Sequence, residues 1–167
     1  MNEKTLPKAY QEKNLHRPAV LVCVTDQHAG ERLIQGGANI AAQKGCSLLV
    51  LSIQESSFHY ASKSDALEHL FQVSTEYNAD MSVFYGSDPI LVANNYISRR
   101  QVEHIVTGMP SDGGHFIINI QQSFPDIPLS IIPPQGMVDI SFQDHVTPAE
   151  QESFLNEHAL SAVFARS

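Results

Sequence analysis

A carboxylate just after an apolar, β-branched run and a later group of closely spaced glycines are the residues here with the types and spacing to do chemistry. Residues 19–25 read AVLVCVT, and Asp26 follows at the head of the turn DQHAG, residues 26–30. A carboxylate at the mouth of a buried strand can accept hydrogen bonds from a ligand amine. The same Asp serves equally as an Asx turn or helix cap. Further along, Gly108, Met109 and Ser111 lead to Gly113 and Gly114. Glycines before a helix let backbone N–H groups approach an anion, and they also serve simply to make a tight turn. Asp112 sits among them and repels a polyphosphate.

Other chemistries lack their motifs. The sequence has no G-x-x-x-x-G-K-[ST], no G-x-G-x-x-G after its first strand, no G-x-S-x-G, no C-x-x-C and no H-E-x-x-H. Its eight histidines show no ligand spacing, so no metal is expected. Without a nucleophile–base pattern, turnover is not expected either, and whether the chain is an enzyme stays open.

The elements that must position these residues read clearly. Glu31 starts a helix to Lys44 with Leu33, Ile34, Gly37, Ala38, Ala41 and Ala42 at helical spacing, and Gly45 supplies the stop. Residues 47–53, SLLVLSI, form a second strand ending at Ile53. A polar loop over 54–62 follows. Ser64 then caps a helix near 65–77, with Leu67, Leu70, Phe71 and Val73 inward. Residues 81–85 are a third strand. Asp88 and Pro89 open a third helix that carries Arg99 and Arg100 in its last turn. Residues 102–107 are a fourth strand, 115–123 a short helix and 128–132 a fifth strand.

Strands alternating with helices imply right-handed crossovers and a parallel sheet. The expected fold is α/β, a Rossmann-like five-stranded parallel sheet with helices on both faces. Ligands in such sheets bind at the carboxyl ends of the strands, where strand order switches. Three segments follow: a flexible lead-in over 1–17, the α/β domain over 18–133, and a C-terminal extension over 134–167. The extension reads as a strand near 137–142 and a helix near 148–165. That helix opens on the capping box TPAE at 147–150 and has the stripe Phe154, Leu155, Ala159, Ala162 and Val163. The stripe packs on its own domain or on a second subunit.

Composition limits the partners. In 167 residues, ten Lys and Arg face eighteen Asp and Glu, a net charge of -8. That sign disfavours nucleic acid and anionic membranes. The longest apolar runs fall far short of the ~20 residues that span a bilayer, and the opening residues lack a secretory h-region. Cys23 and Cys46 read as free thiols in a reducing cytoplasm, or as a redox pair if they meet on adjacent strands. Residues 101–167 hold eight acids and one base, which suits a basic protein partner.

With the strands placed, residues 17–25 (RPAVLVCVT) and 31–42 (ERLIQGGANIAA) resemble the universal stress protein family, most nearly the stress-protein-like domain of the sensor kinase KdpD. The resemblance covers about residues 17–133. It implies strand order 3-2-1-4-5, a homodimer, and AMP or ATP as ligand. It implies that Asp26, with Thr25 before it, meets adenine, that Ile53 lines the adenine pocket, and that Gly108, Met109, Ser111, Gly113 and Gly114 form the phosphate loop. The loop is shorter than the family's, with His115 and Phe116 where Gly-Ser or Gly-Thr should stand, so AMP fits more easily than ATP. The expected function is a nucleotide- or small-ligand-binding regulatory module without turnover. The alternatives are a protein-interaction or structural dimer module and, behind it, an ATP-using enzyme of the adenine-nucleotide hydrolase-like superfamily.

Overall fold

The computed structural model describes residues 17–24, 29–54, 60–110, 113–134 and 140–142. In order, the elements are β1 (Ala19–Val24), α1 (Gly30–Lys44), β2 (Ser47–Gln54), α2 (Tyr60–Glu76), β3 (Asp80–Tyr85), α3 (Pro89–Ser98), β4 (Val102–Gly108), α4 (His115–Ser123), β5 (Leu129–Ile132) and β6 (Ile140–Phe142). They form one sheet in the order β3-β2-β1-β4-β5-β6. The first five strands pair in parallel, as the βα alternation dictates. The strand expected in the extension joins the same sheet antiparallel to β5, with Ile131 opposite Ile140. The lead-in over 1–16 and the helix expected near 148–165 lie outside the described residues.

β1 is the axis of the core. All six of its residues are buried, as an unbroken apolar run covered on both faces requires. On one face, Val20, Val22 and Val24 pack with Leu33, Ile34 and Ala41 of α1 and Leu70 and Val73 of α2. On the other, Leu21 and Cys23 pack with Ala93, Tyr96 and Ile97 of α3 and Phe116, Ile117 and Ile120 of α4. The ladder begins on a common line, where Ala19 N–H donates to Gln101 O at 2.9 Å and Ser47 N–H donates to Pro18 O at 2.9 Å. Between Ala19 and Val20 the register with β4 slips, so Val102 faces Ala19 while His104 faces Val20. Glu103 is the extra residue of a bulge.

The caps follow their residue types. Gly45 adopts φ 67 and its N–H bonds Ala41 O, which ends α1. Asp88 accepts from the Leu91 N–H at 3.0 Å, with Pro89 next in line, which starts α3.

Four local expectations are corrected. α2 begins at Tyr60, so Ser64 lies inside the helix rather than at its cap. Phe71 is exposed, because Leu70, Val73 and Ser74 at i, i+3 and i+4 already fill the inward stripe. Ala42 is exposed for the same reason on α1. Arg99 and Arg100 fall just beyond the end of α3, where the Arg100 guanidinium lies 3.5 Å above the Tyr96 ring instead of complementing the dipole from within the last turn.

The adjacent glycines of α1 let it settle onto the sheet. A Cβ at Gly37 would overlap Val22 Cγ2, and one at Gly36 would overlap Ile132 Cδ1. Val22 is fully buried and β-branched, so it has nowhere to turn. Ile132 is only half-buried and the overlap is with its flexible tip. Gly37→Ala is therefore expected to destabilise the protein by about 1–2 kcal/mol, the overpacking cost outweighing the helix-propensity gain. Gly36→Ala is expected to be neutral or mildly stabilising. Urea unfolding of the two variants beside wild type checks the opposite outcomes.

Candidate functional site

The order β2-β1-β4 is where the chain reverses its direction of sheet building. After β1 it crosses to β2 on one side, and after β3 it returns to β4 on the other. Cys23 pairs with Leu51 on β2 and Thr107 on β4, so the three strands run out together at their carboxyl ends. The carboxyl ends of β1 and β4 therefore lie side by side at the same edge of the sheet. α1 covers this edge from one face and α4 from the other.

Gly108 is the last residue of β4, against the start of α1. A Cβ built on it would stand 3.4 Å from Leu33 Cδ1 and 4.0 Å from Ala29 Cβ, ordinary contacts. Neither crowding nor a positive φ requires glycine there. Gly113 and Gly114 differ, with φ 72 and 88, and there the left-handed turn itself requires glycine. Gly114 is the N-cap of α4 and, as a glycine, offers no capping side chain of its own. The α1 N-cap, Ala29, provides no side-chain cap either. Both helices thus begin at the carboxyl edge on residues whose own side chains provide no cap, and their first N–H groups point back toward that edge.

Ile53 and Met109 both pack, half-buried, against the cluster on the α3–α4 face. The structure therefore brings Ile53, Gly108, Met109, Gly113 and Gly114 to one edge, as apolar wall and backbone-lined turn. Thr25, Asp26 and Ser111 lie outside the described residues.

Sequence reading missed Arg32. It stands in the first turn of α1, and helical side chains lean toward the helix N-terminus, which here is the carboxyl edge of the sheet. Its Nε is buried without a hydrogen-bond partner. The signal was present in the sequence, since a cation in a helix's first turn opposes the macrodipole and such a position has a cost that an anion would offset.

The displaced titratable groups lie elsewhere. Burial pushes the Cys23 thiol up to about 12. Cys46 precedes β2 and lies five positions before Leu51, the partner of Cys23, or roughly 16 Å along the strand. That separation excludes the redox pair. Cys46 Sγ donates to Glu103 Oε2 at 3.6 Å; burial first and Glu103 second raise its pKa. His104 Nε2 is 2.8 Å from Ser130 Oγ, while Nδ1 is buried without a partner. Burial, then the charge on Lys44, hold His104 below the usual 6.5. Among the described residues no three His, Cys, Asp or Glu side chains are grouped to hold a metal ion, and no helix is long and apolar enough to cross a membrane.

No protein-family model matches the chain, and no curated protein matches it. Solved structures do. A universal stress protein in complex with cAMP superposes with a TM-score of 0.53 at 15% identity, over 70% of this chain and 97% of its own. The universal stress protein from Archaeoglobus fulgidus superposes with a TM-score of 0.50 at 13% identity, over 74% of this chain and 97% of its own. These likenesses are of fold: the five parallel strands in the order 3-2-1-4-5, with helices on both faces.

Two outcomes follow from this geometry. Gly108→Ala is expected to leave stability within about 0.5 kcal/mol of wild type, as thermal melting will register. Stability complete above pH 6.5 is expected to fall as pH drops through the lowered pKa of folded His104, because the unfolded chain takes that proton first. In His104→Gln this part of the pH dependence disappears, read as the change in urea midpoint between about pH 8 and about pH 5.

Proposed function

We propose that the chain is a universal-stress-protein-like regulatory module that binds a small nucleotide at the carboxyl edge between β1 and β4 and does no chemistry on it. One observation carries the reading. The paired ends of β1 and β4 sit where strand order switches, between two helices that begin at that edge, one on each face of the sheet. Such helix starts favour an anion. The solved neighbour that holds cAMP agrees with the ligand class.

In this reading Thr25 and Asp26 face the base, where a carboxylate accepts from an exocyclic amine. Ile53 and Met109 form the apolar wall beside it. Gly108, Ser111, Gly113 and Gly114 offer backbone and hydroxyl groups to phosphate, and Arg32 supplies a positive charge. Gly108 then serves the ligand rather than the fold, since the fold accepts a Cβ there. One phosphate suits the shortened loop better than three. The finer kinship, to the KdpD stress-protein-like domain, rests on the first strand and helix. A cytoplasmic location goes with free thiols and a nucleotide ligand.

Calorimetric titration with AMP, cAMP and ATP tests the reading. AMP or cAMP is expected to bind at micromolar to millimolar concentration, with ATP weaker than AMP. Gly108→Ala is expected to abolish binding while melting like wild type. Arg32→Ala is expected to weaken it about tenfold, the worth of one charge-assisted hydrogen bond. Absence of binding by all three nucleotides at millimolar concentration overturns the reading and favours the alternative of an interaction module.

A further inference from the structure

The two faces of the sheet are covered to different extents. α1 and α2 lie on one face, over Val20, Val22 and Val24 of β1 and Leu48 and Val50 of β2. α3 and α4 lie on the other, where Phe116, Ile117 and Ile120 of α4 also cover Leu129 and Ile131 of β5. Among the described residues α1 is the last helix on its face in the direction of β5, and the sheet runs on past it by two strands. Register shows what β5 presents there. Ser130 pairs with Val106, a member of the α1 cluster, and Ile132 pairs with Gly108, so both point to the α1 side. α1 meets β5 along one flank, where Gly36 stands against the tip of Ile132. Ile40 follows one turn later on the same flank. Both Ile40 and Ile132 are only half-buried, so an apolar strip begins beside α1 and continues over β5.

The chain itself arrives at this strip. β6 runs antiparallel to β5 and places Phe142 opposite Leu129, the first residue of β5, so it delivers the chain to the amino edge of the sheet. Residues 143–147 then lead to Pro148. Those five residues span at most about 18 Å. The exposed apolar side chains Phe84 and Tyr85 lie on β3, at the far side of the sheet. Five strand spacings, about 24 Å, separate β3 from β6, so a helix opening at 147–150 cannot start against them. On the α4 face β5 is already covered. The strip beside α1 is adjacent to where β6 ends. A helix over 148–165 is about 27 Å long, enough to recross a sheet whose seven-residue β4 spans about 23 Å.

We propose that residues 148–165 form a third helix on the α1 face, antiparallel to α1, with the stripe Phe154, Leu155, Ala159, Ala162 and Val163 seated on Ile40, Ile132 and Ser130. The stripe mixes large side chains with two alanines, which suits a floor where Ser130 lies between larger neighbours. Electrostatics agree with the direction. α1 ends at the amino edge with the exposed Lys44 in its last turn, and the third helix begins at that edge with Glu150 and Glu152 close behind its cap. The two helix dipoles then oppose, and the acids stand near the lysine. The short connection from β6 assigns the strip to the same chain and not to the helix of a second copy.

Cross-linking in the full chain tests this. In a Cys46→Ser background, where Cys23 stays buried, Ile40→Cys with Leu155→Cys is expected to close a disulfide on mild oxidation. The product is expected to keep single-chain mass on a non-reducing gel, with the two peptides joined by mass spectrometry. Leu91→Cys with Leu155→Cys, its partner on α3 exposed on the opposite face, is expected to stay reduced. In wild type, amide exchange over residues 150–164 is expected to be at least tenfold slower than in an unfolded chain. Leu155→Asp is expected to remove that slowing while β1 and β4 stay protected. Failure of the first pair to link, a link only between two chains, or an equal link from Leu91→Cys overturns the proposal. So does exchange over 150–164 at the unfolded rate. None of these readouts involves nucleotide, so the proposal and the nucleotide reading fail separately.

Discussion

The burial of β1 on both faces is the constraint from which the rest follows. No charged or strongly polar side chain interrupts Ala19–Val24, and none of its residues is more than 1% exposed. A strand of that kind is stable only with helices above and below and strands on either side. Parallel neighbours on both sides then bring three carboxyl ends to one line. The right-handed crossovers to the left and right place α1 and α4 on opposite faces. The crevice at the strand ends is thus a by-product of how β1 is buried, before any residue lining it is chosen. Gly37 serves the same constraint, since the helix that covers β1 must approach close enough to close over Val22.

Strand number, order and the alternation of helices were legible in the sequence because they depend on periods of two and of 3.6 and on a few caps. Asp88, Pro89 and Gly45 mark their helix ends in the structure as their chemistry requires. The start of α2 was not legible, because residues 60–64 carry neither an apolar stripe nor a sharp cap, and Ser64 offered a plausible false one. Phe71 misled because apolar character was taken for burial. The width of an inward stripe is set by the partner surface, and an edge strand offers less of it than a central one. Of the site, the glycine turn and Ile53 could be placed by counting from strand ends. Arg32 was signalled only as a cation in a first helical turn, and its unpartnered Nε is a property of three dimensions.

The edge strands illustrate the same limit. Residues 81–85 and 19–24 look alike in composition, and only sheet order separates the exposed strand from the fully buried one. The extension resolves one edge by adding β6 beside β5. Among the described residues nothing of the kind lies on β3.

Charge decides what kind of anion that crevice can hold. The chain's net charge of -8 opposes any anion at long range. At physiological ionic strength that opposition fades within about 8 Å, whereas N–H groups and a guanidinium act at hydrogen-bond distance. A single phosphate seated over a helix N-terminus lies within reach of these local donors. A triphosphate carries more charge than such local donors offset, and the sequence adds Asp112 between β4 and α4. Selection for a short anionic group then arises from the size of the positive region, with no residue dedicated to rejecting the longer one.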